Sequence, residues 1–442
     1  MIKRLLIGLF LLVVIPLGVV AVINLRDEPL QPEAAAFMDA SPAKVPAERN
    51  AFYYVVGFEG PAGDDPHKAG KAWIEALDAA QQQLLARADA SWPPQPRGLA
   101  KIEAYCIPEK SSCIRWLKET TEGRPALADN AAIVKRYQRV LSYPAYAETT
   151  DPRLYTYPLP RYAAFGNGQR FFLLHIAERL ERGEVDDALG ALRDEIDFDR
   201  RMLAGSRTLL HKLVAAAALQ RTALFTSDAL RTYRQQIGPG AAMLAQALHP
   251  LSAEERALTP GLRTELLMAA SALDPKRWRA EDMGWPIPTT LLRPFYRHQA
   301  TVNSIFKVTR TWSDVDNVPA ADLGTAFIRA KEAEPEFSPR RAIYNPVGKF
   351  LVSSNPPQLN ASFERIHDTD ALVRLVGLQA EIVAQDVKND DVAAFSKKIL
   401  DPYTGKPFAW DANTRQLSFE PHNPTVREQK IGGTANRVAI TL

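Results

Sequence analysis

The side chains best placed for chemistry fall in three short stretches of this 442-residue chain. In QRFFLLHIAERLERG, His175 and Glu178 stand three apart, which puts a base and an acid on one helix face. A di-metal helix uses the order Glu-x-x-His, the reverse of this pair, and the motif must occur on two helices. The pair therefore reads as part of a helix interface. Next, EVDDALGALRDEIDFDRR offers paired carboxylates of the kind that act on a glycosidic bond when they flank a cleft. Arg193, Arg200 and Arg201 lie close enough to neutralise this run, so a solvated helix face is expected. The third stretch is DPYTGKPFAWDANTRQLSF, residues 401–419. Asp401, Lys406 and Trp410 would form a ligand loop there. The same stretch reads more simply as a hairpin, with Phe408, Trp410, Leu417 and Phe419 alternating inward around DANT.

No Gly-x-Ser-x-Gly elbow, phosphate loop, dinucleotide fingerprint or His-Glu-x-x-His motif occurs, and the seven histidines are scattered. The sequence thus nominates no catalytic, cofactor-binding or metal-binding residue. Cys106 and Cys113, the two cysteines, are too far apart for a Cys-x-x-Cys redox pair and too few for zinc. They read as a structural disulfide, which requires an oxidising compartment.

The N-terminus specifies that compartment. Lys3 and Arg4 precede an uncharged apolar run from Leu5 to Ile23, long enough for a bilayer core of about 20 residues. Positive charge on the leading side keeps the N-terminus cytoplasmic and exports the rest. The run serves as an uncleaved anchor (residues 5–25) or as a cleaved leader, and both readings place the body in the periplasm. Lys plus Arg total 54 against 51 acids, so neither the basic footprint of a nucleic-acid binder nor a polybasic lipid-binding cluster is present.

Four regions follow: an anchor or leader over 1–25, a tether over 26–50, a helical body over 51–340 and a C-terminal helix plus hairpin over 341–442, packed on the body. The tether is Pro- and Ala-rich with little apolar content. NAFYYVV, after it, suits either a strand or a segment packed on the first helix. Apolar residues at helical spacing then mark HKAGKAWIEALDAAQQQLLARA, ADNAAIVKRYQRVLS and two helices hinged at Gly183, which resemble a tetratricopeptide-type hairpin. That hairpin does not recur at a fixed period, so an irregular α-helical stack is expected. The Tyr- and Pro-rich connector 143–162 reads as a loop pinned by its tyrosines. The last strong helix is expected to start at a cap, Asp368 or Thr369.

NPVGKFLV (345–352), DTDALVRLVGLQ (368–379) and DPYTGKPFAWD (401–411), in that order, resemble the C-terminal part of a family of membrane-anchored or exported α-helical envelope proteins of proteobacteria. YYVVGFEGPAGDDPHKAG is similar to the start of the same family. The likeness covers both ends of the exported part. It implies compartment and architecture, and no catalytic residue, since no activity is established for that family. The expected function is that of a non-catalytic, single-pass inner-membrane protein whose periplasmic body binds an envelope protein partner. The alternative is a periplasmic hydrolase of glycan or peptide, working through carboxylates not adjacent in sequence.

Overall fold

The computed structural model describes residues 14–39, 44–86, 90–99, 108, 111–278, 289–340, 342–354, 358–423 and 437–442. The chain is mainly helical with a small antiparallel sheet. In order come α1 (Pro32–Met38), α2 (Ala51–Val56), α3 (Pro66–Leu85) and α4 (Ala131–Leu141). The hairpin α5 (Ala163–Glu181) and α6 (Val185–Ala204) leads into α7 (Leu209–Thr232). Then follow α8 (Ala241–Ala247), α9 (Thr259–Ala272), α10 (His298–Asp314), α11 (Leu323–Glu332), α12 (Pro346–Ser354) and α13 (Asn360–Ala384). The sheet comprises β1 (Ala409–Asp411), β2 (Gln416–Phe419) and β3 (Val438–Thr441).

Each boundary has a local cause. Asn50 caps α2 by accepting from the Phe52 N–H, so NAFYYVV is a helix and not a strand. Gly183, at φ +80°, turns the α5–α6 corner while the Glu184 N–H returns to the Arg179 carbonyl. The α2–α3 crossing is a backbone contact. A Cβ on Gly70 would overlap the Tyr53 carbonyl oxygen, and one on Gly57 the Pro66 carbonyl oxygen.

Helices α7 and α13 are buried on nearly every face and lie against each other at the centre. Thr369 of α13 accepts from Gln220 of α7 at 2.8 Å, and Gln379 donates to the Ser227 carbonyl at 3.2 Å. Asp368 is therefore no cap, and the helix starts at Asn360. Its carboxylate is buried in mid-helix, where it accepts from the Tyr403 hydroxyl and the His422 and Asn423 N–H groups. It fastens the C-terminal region to the core together with Gln379, which donates to the Thr441 carbonyl of β3 at 3.1 Å, and with the buried Leu417, Phe419, Val438 and Ile440.

The 401–419 stretch folds as the expected hairpin, with Trp410 opposite Leu417. Asp401 organises its entry turn by accepting from Tyr403 N–H and the Thr404 hydroxyl, and Gly405 supplies φ +64°. A third strand was not expected. β3 pairs with β2, Leu417 opposite Ile440.

Residues 26–50, expected as a free tether, are stitched to the body over much of their length. Phe37 of α1 is buried with Leu266, Val302 and Phe306. Asp27 accepts from the Gln299 and Ala300 N–H groups at the start of α10, and Asn303 holds Gln31 and Glu28. Asn24, fully buried, donates to the Ile343 carbonyl and accepts from the Asn345 N–H. Polar side chains that seem solvated in sequence here supply missing partners to distant backbone. Residues 14–23 are helical and largely exposed. No described helix is long and apolar enough to cross a membrane, and the start of the expected span, residues 5–13, lies outside the described residues. Cys113 is buried at the first turn of a helix, Cys113–Glu119, while Cys106 also lies outside them.

The α2–α3 contact gives a direct stability test. Gly70→Ala must separate the two backbones and should cost about 3 kcal/mol, whereas Gly324→Ala in α11, where an added Cβ meets open space, should stabilise by a few tenths to about 1 kcal/mol. Urea denaturation midpoints of the two variants check this; equal midpoints would show that the crossing can relax.

Candidate functional site

Burying α7 on all sides obliges its polar side chains to find partners inside the protein, and they do so in two networks. The first is at its N-terminus. Thr208 caps the helix, and Glu148 from the connector receives the Arg207 and Thr208 N–H groups at 2.6 and 2.9 Å, plus the Thr150 and Thr208 hydroxyls. Burial would raise this carboxyl, but the His211 ring 3.3 Å away and these donors outweigh it and hold Glu148 at about 2. His211, itself fully buried, meets the Tyr146 hydroxyl at Nε2 and the Tyr162 hydroxyl at Nδ1, 3.1 Å away. Lys212, next along, donates to the Leu203 and Glu254 carbonyls, and burial lowers its ammonium to about 8.

The second network is one face further along. Glu195 and Asp199, both fully buried on α6, accept from the single Gln169 amide of α5 at 2.7 and 3.1 Å. Tyr137 of α4 donates to Glu195 at 2.8 Å and Thr222 of α7 to Asp199 at 2.6 Å, while Arg221 holds the Gln169 oxygen. Burial pushes Glu195 up to about 7, against the lowering pull of Gln169, Tyr137 and Arg221. Burial and then the charge of Glu195 raise Asp199 well above the carboxylate range. A cavity of about 310 Å³ lies between the networks, bounded by Tyr162, Gln169 and Arg221.

A much larger groove of about 1180 Å³ runs between α9, α10, α12 and the chain after α11. Its floor is aliphatic: Leu262, Leu266, Ala269, Ile305, Val308 and Leu359. Phe337 and Phe350 meet edge to face at 5.5 Å beside it, both largely exposed, and Tyr155 closes one side. Four glutamates, Glu265, Glu332, Glu334 and Glu336, against Lys331 make it acidic. Glu265 is raised by burial alone. The Trp312 indole donates to Glu334 at 3.3 Å and fixes the far wall. Pro346, where α12 begins, directly follows Asn345, which Asn24 grips. Phe350 therefore sits about one helical turn, some 6 Å, from the point where the N-terminal helix meets the body.

The residues singled out from sequence are dispersed. His175 Nδ1 is 3.5 Å from Glu178, which also takes Arg182; the pair is partly buried on α5. Within the acidic run, the expectation of a solvated face fails for Glu195 and Asp199: spaced four apart, they face α5 and α7. Of the arginines expected to neutralise the run, Arg193 pairs with its Asp194, while Arg200 leaves it for the buried Glu255. The connector is pinned as expected by Tyr146, Tyr157 and Tyr162, while Tyr155 turns out toward the groove. Glu148, His211, Tyr146 and Tyr162 carry no motif. They span more than sixty residues, and only the fold brings them together.

No protein-family model matches this chain, and no curated protein and no solved structure was found to resemble it.

The raised Glu195 sets a pH dependence. Between its unfolded value, near 4.5, and about 7, the unfolded chain releases this proton while the folded chain keeps it, so its contribution to stability falls as pH rises. His367, depressed by burial to about 4, has the opposite slope over part of that window. The difference between proteins is therefore the quantity to read. Glu195→Gln should gain stability relative to the wild type from pH 5 to pH 8 in urea titrations; a pH-independent difference would mean that Glu195 is ionised in the fold.

Proposed function

We propose that this is a single-pass inner-membrane protein whose periplasmic body receives an apolar, positively charged segment of an envelope protein partner in the α9–α10–α12 groove. The observation that carries this reading is the groove itself, an aliphatic floor with an acidic wall. At about 1180 Å³ it exceeds the usual range for small-ligand sites and suits several side chains of a peptide. Its net acidity favours Lys- or Arg-bearing segments and opposes anionic lipid headgroups. The anchor reading is supported by the apolar N-terminal run and by the exposure of Val14, Ile15, Leu17, Val19, Val22 and Ile23 on the described part of that helix. With Asn24 and Asp27 bonded to the body, the anchor would hold the groove beside the bilayer surface rather than on a long tether. The family resemblance of the two ends agrees with this placement.

One observation favours the hydrolase as a second reading. Glu265 has the raised carboxyl of a general acid and shares the groove with Glu332, Glu334 and Glu336 on other segments. The aliphatic floor fits a peptide better than a glycan.

The full chain in detergent should bind a fluorescent Leu/Lys amphipathic peptide roughly tenfold more tightly than its Leu/Glu counterpart at low salt, with the preference shrinking as salt screens it. Ala269→Trp, which fills the floor, should abolish binding. Equal affinity for the two peptides, or binding indifferent to Ala269→Trp, would sink the groove reading. Cleavage of the bound peptide that Glu265→Gln stops without loss of affinity would establish the hydrolase instead. Export also predicts a Cys106–Cys113 bridge: protein denatured without reductant should show no thiol reactive to maleimide, and two after reduction. Two reactive thiols before reduction would contradict an oxidising compartment.

A further inference from the structure

The apolar N-terminal run ends at Ile23, and the next residue is already part of the body. Asn24 is fully buried; its amide donates to the Ile343 carbonyl at 2.8 Å and its oxygen accepts from the Asn345 N–H at 2.6 Å. The Glu28 N–H donates to the Tyr344 hydroxyl at 3.0 Å, and Asp27 accepts from two N–H groups in the first turn of α10. No linker separates the run from the body.

On the anchor reading, this joint fixes a depth. The run from Leu5 to Ile23 would span about 28 Å as a helix, which matches a hydrocarbon core of about 30 Å. Ile23 then stands at the outer edge of the core and Asn24 in the headgroup layer, itself only about 5–8 Å deep. Backbone bonded directly to Asn24 lies at the same depth, so residues 343–345 belong to that layer too. Val14, Ile15, Leu17 and Val19 are exposed, as a helix projecting from the body requires.

The side chains around the joint suit lipid headgroups. Leu25 is 74 % exposed and Ile343 48 %, while Tyr344 brings the amphipathic ring favoured at membrane interfaces. Arg26, Arg293 and Arg340 are exposed around them. Arg26 offers its carbonyl to the Tyr344 hydroxyl at 3.5 Å, and Arg340 stands three residues before Ile343. Arg293 offers its carbonyl to Arg297, whose N–H donates to Asn345 at 2.8 Å. Arg293 gives one nitrogen to the Pro275 carbonyl, but attraction to phosphate follows its charge, which that contact leaves intact. The nearby acids are already engaged, Asp27 by α10 and Glu28 by the Asn303 amide at 2.8 Å. The sequence shows no basic cluster because the three arginines come from three distant segments.

We propose that this face is a membrane-contact surface on which the body rests. Leu25 and Ile343 enter the boundary between headgroups and acyl chains, and Arg26, Arg293 and Arg340 meet lipid phosphates. The surface rests on the anchor reading and is independent of what the groove receives.

Lipid photo-crosslinking of the full chain in nanodiscs of phosphatidylethanolamine and phosphatidylglycerol tests this, with one diazirine lipid reactive in its acyl chain and another in its headgroup. The acyl-chain probe should label residues 14–23. The headgroup probe should label Ile343 and Tyr344 at least about fivefold more than Leu400, an exposed aliphatic residue of the C-terminal region, because the headgroup layer is thin. Arg340→Glu, at an exposed position, should lower headgroup labelling of Ile343 and Tyr344 about twofold or more, with labelling of 14–23 and the melting temperature unchanged. If 14–23 is labelled but Ile343 and Tyr344 stay at the level of Leu400, the contact surface is overturned and the anchor stands. Headgroup labelling unmoved by Arg340→Glu would also overturn the surface. No acyl-chain label on 14–23 would overturn the anchor reading, and the surface with it.

Discussion

A 24-residue helix with polar groups around its circumference runs through the middle of this protein, and the rest of the body is arranged to satisfy it. Helix α7 carries His211, Lys212, Gln220, Arg221, Thr222, Thr226 and Ser227 into the interior. An unsatisfied buried polar group costs more than a typical hydrogen bond contributes, so each of these side chains constrains a neighbour. The connector supplies Glu148, Tyr146 and Tyr162; α5 and α6 supply Gln169 and Asp199; α13 supplies Thr369 and the Gln379 amide. The apolar core of the hairpin α5–α6 could pack on many helices. Only one with donors and acceptors at these heights on α7 matches it.

The same device recurs at the ends of the chain. Asp368 draws the C-terminal sheet onto α13 with three hydrogen bonds, and the Tyr403 and His422 rings stack beside it at 4.0 Å. Asn24, Asp27 and Asn303 draw the N-terminal segment onto α10. Buried polar contacts of this kind add modest net stability and chiefly exclude alternative packings. For a protein read as anchored at its N-terminus, fixing that segment has a functional consequence. On that reading, it would set the orientation of the body, and of the groove one helical turn away, relative to the bilayer.

The hydrophobic periodicity of the sequence determined the helical class, the α5–α6 hairpin with its turn at Gly183, and the alternating strands around DANT, because these depend on contacts a few residues apart. The same local logic misplaced Asp368 as a cap and Glu195 and Asp199 on a solvated face. It also took 26–50 for a tether: a polar residue in sequence does not reveal whether its partner is water or a distant backbone group. β3 was invisible for a related reason, since a four-residue strand is specified by the edge it joins. The groove, the cavity and the Glu148–His211–Tyr162 cluster were decided by tertiary structure alone. Each is assembled from segments tens to hundreds of residues apart, and no spacing rule connects them.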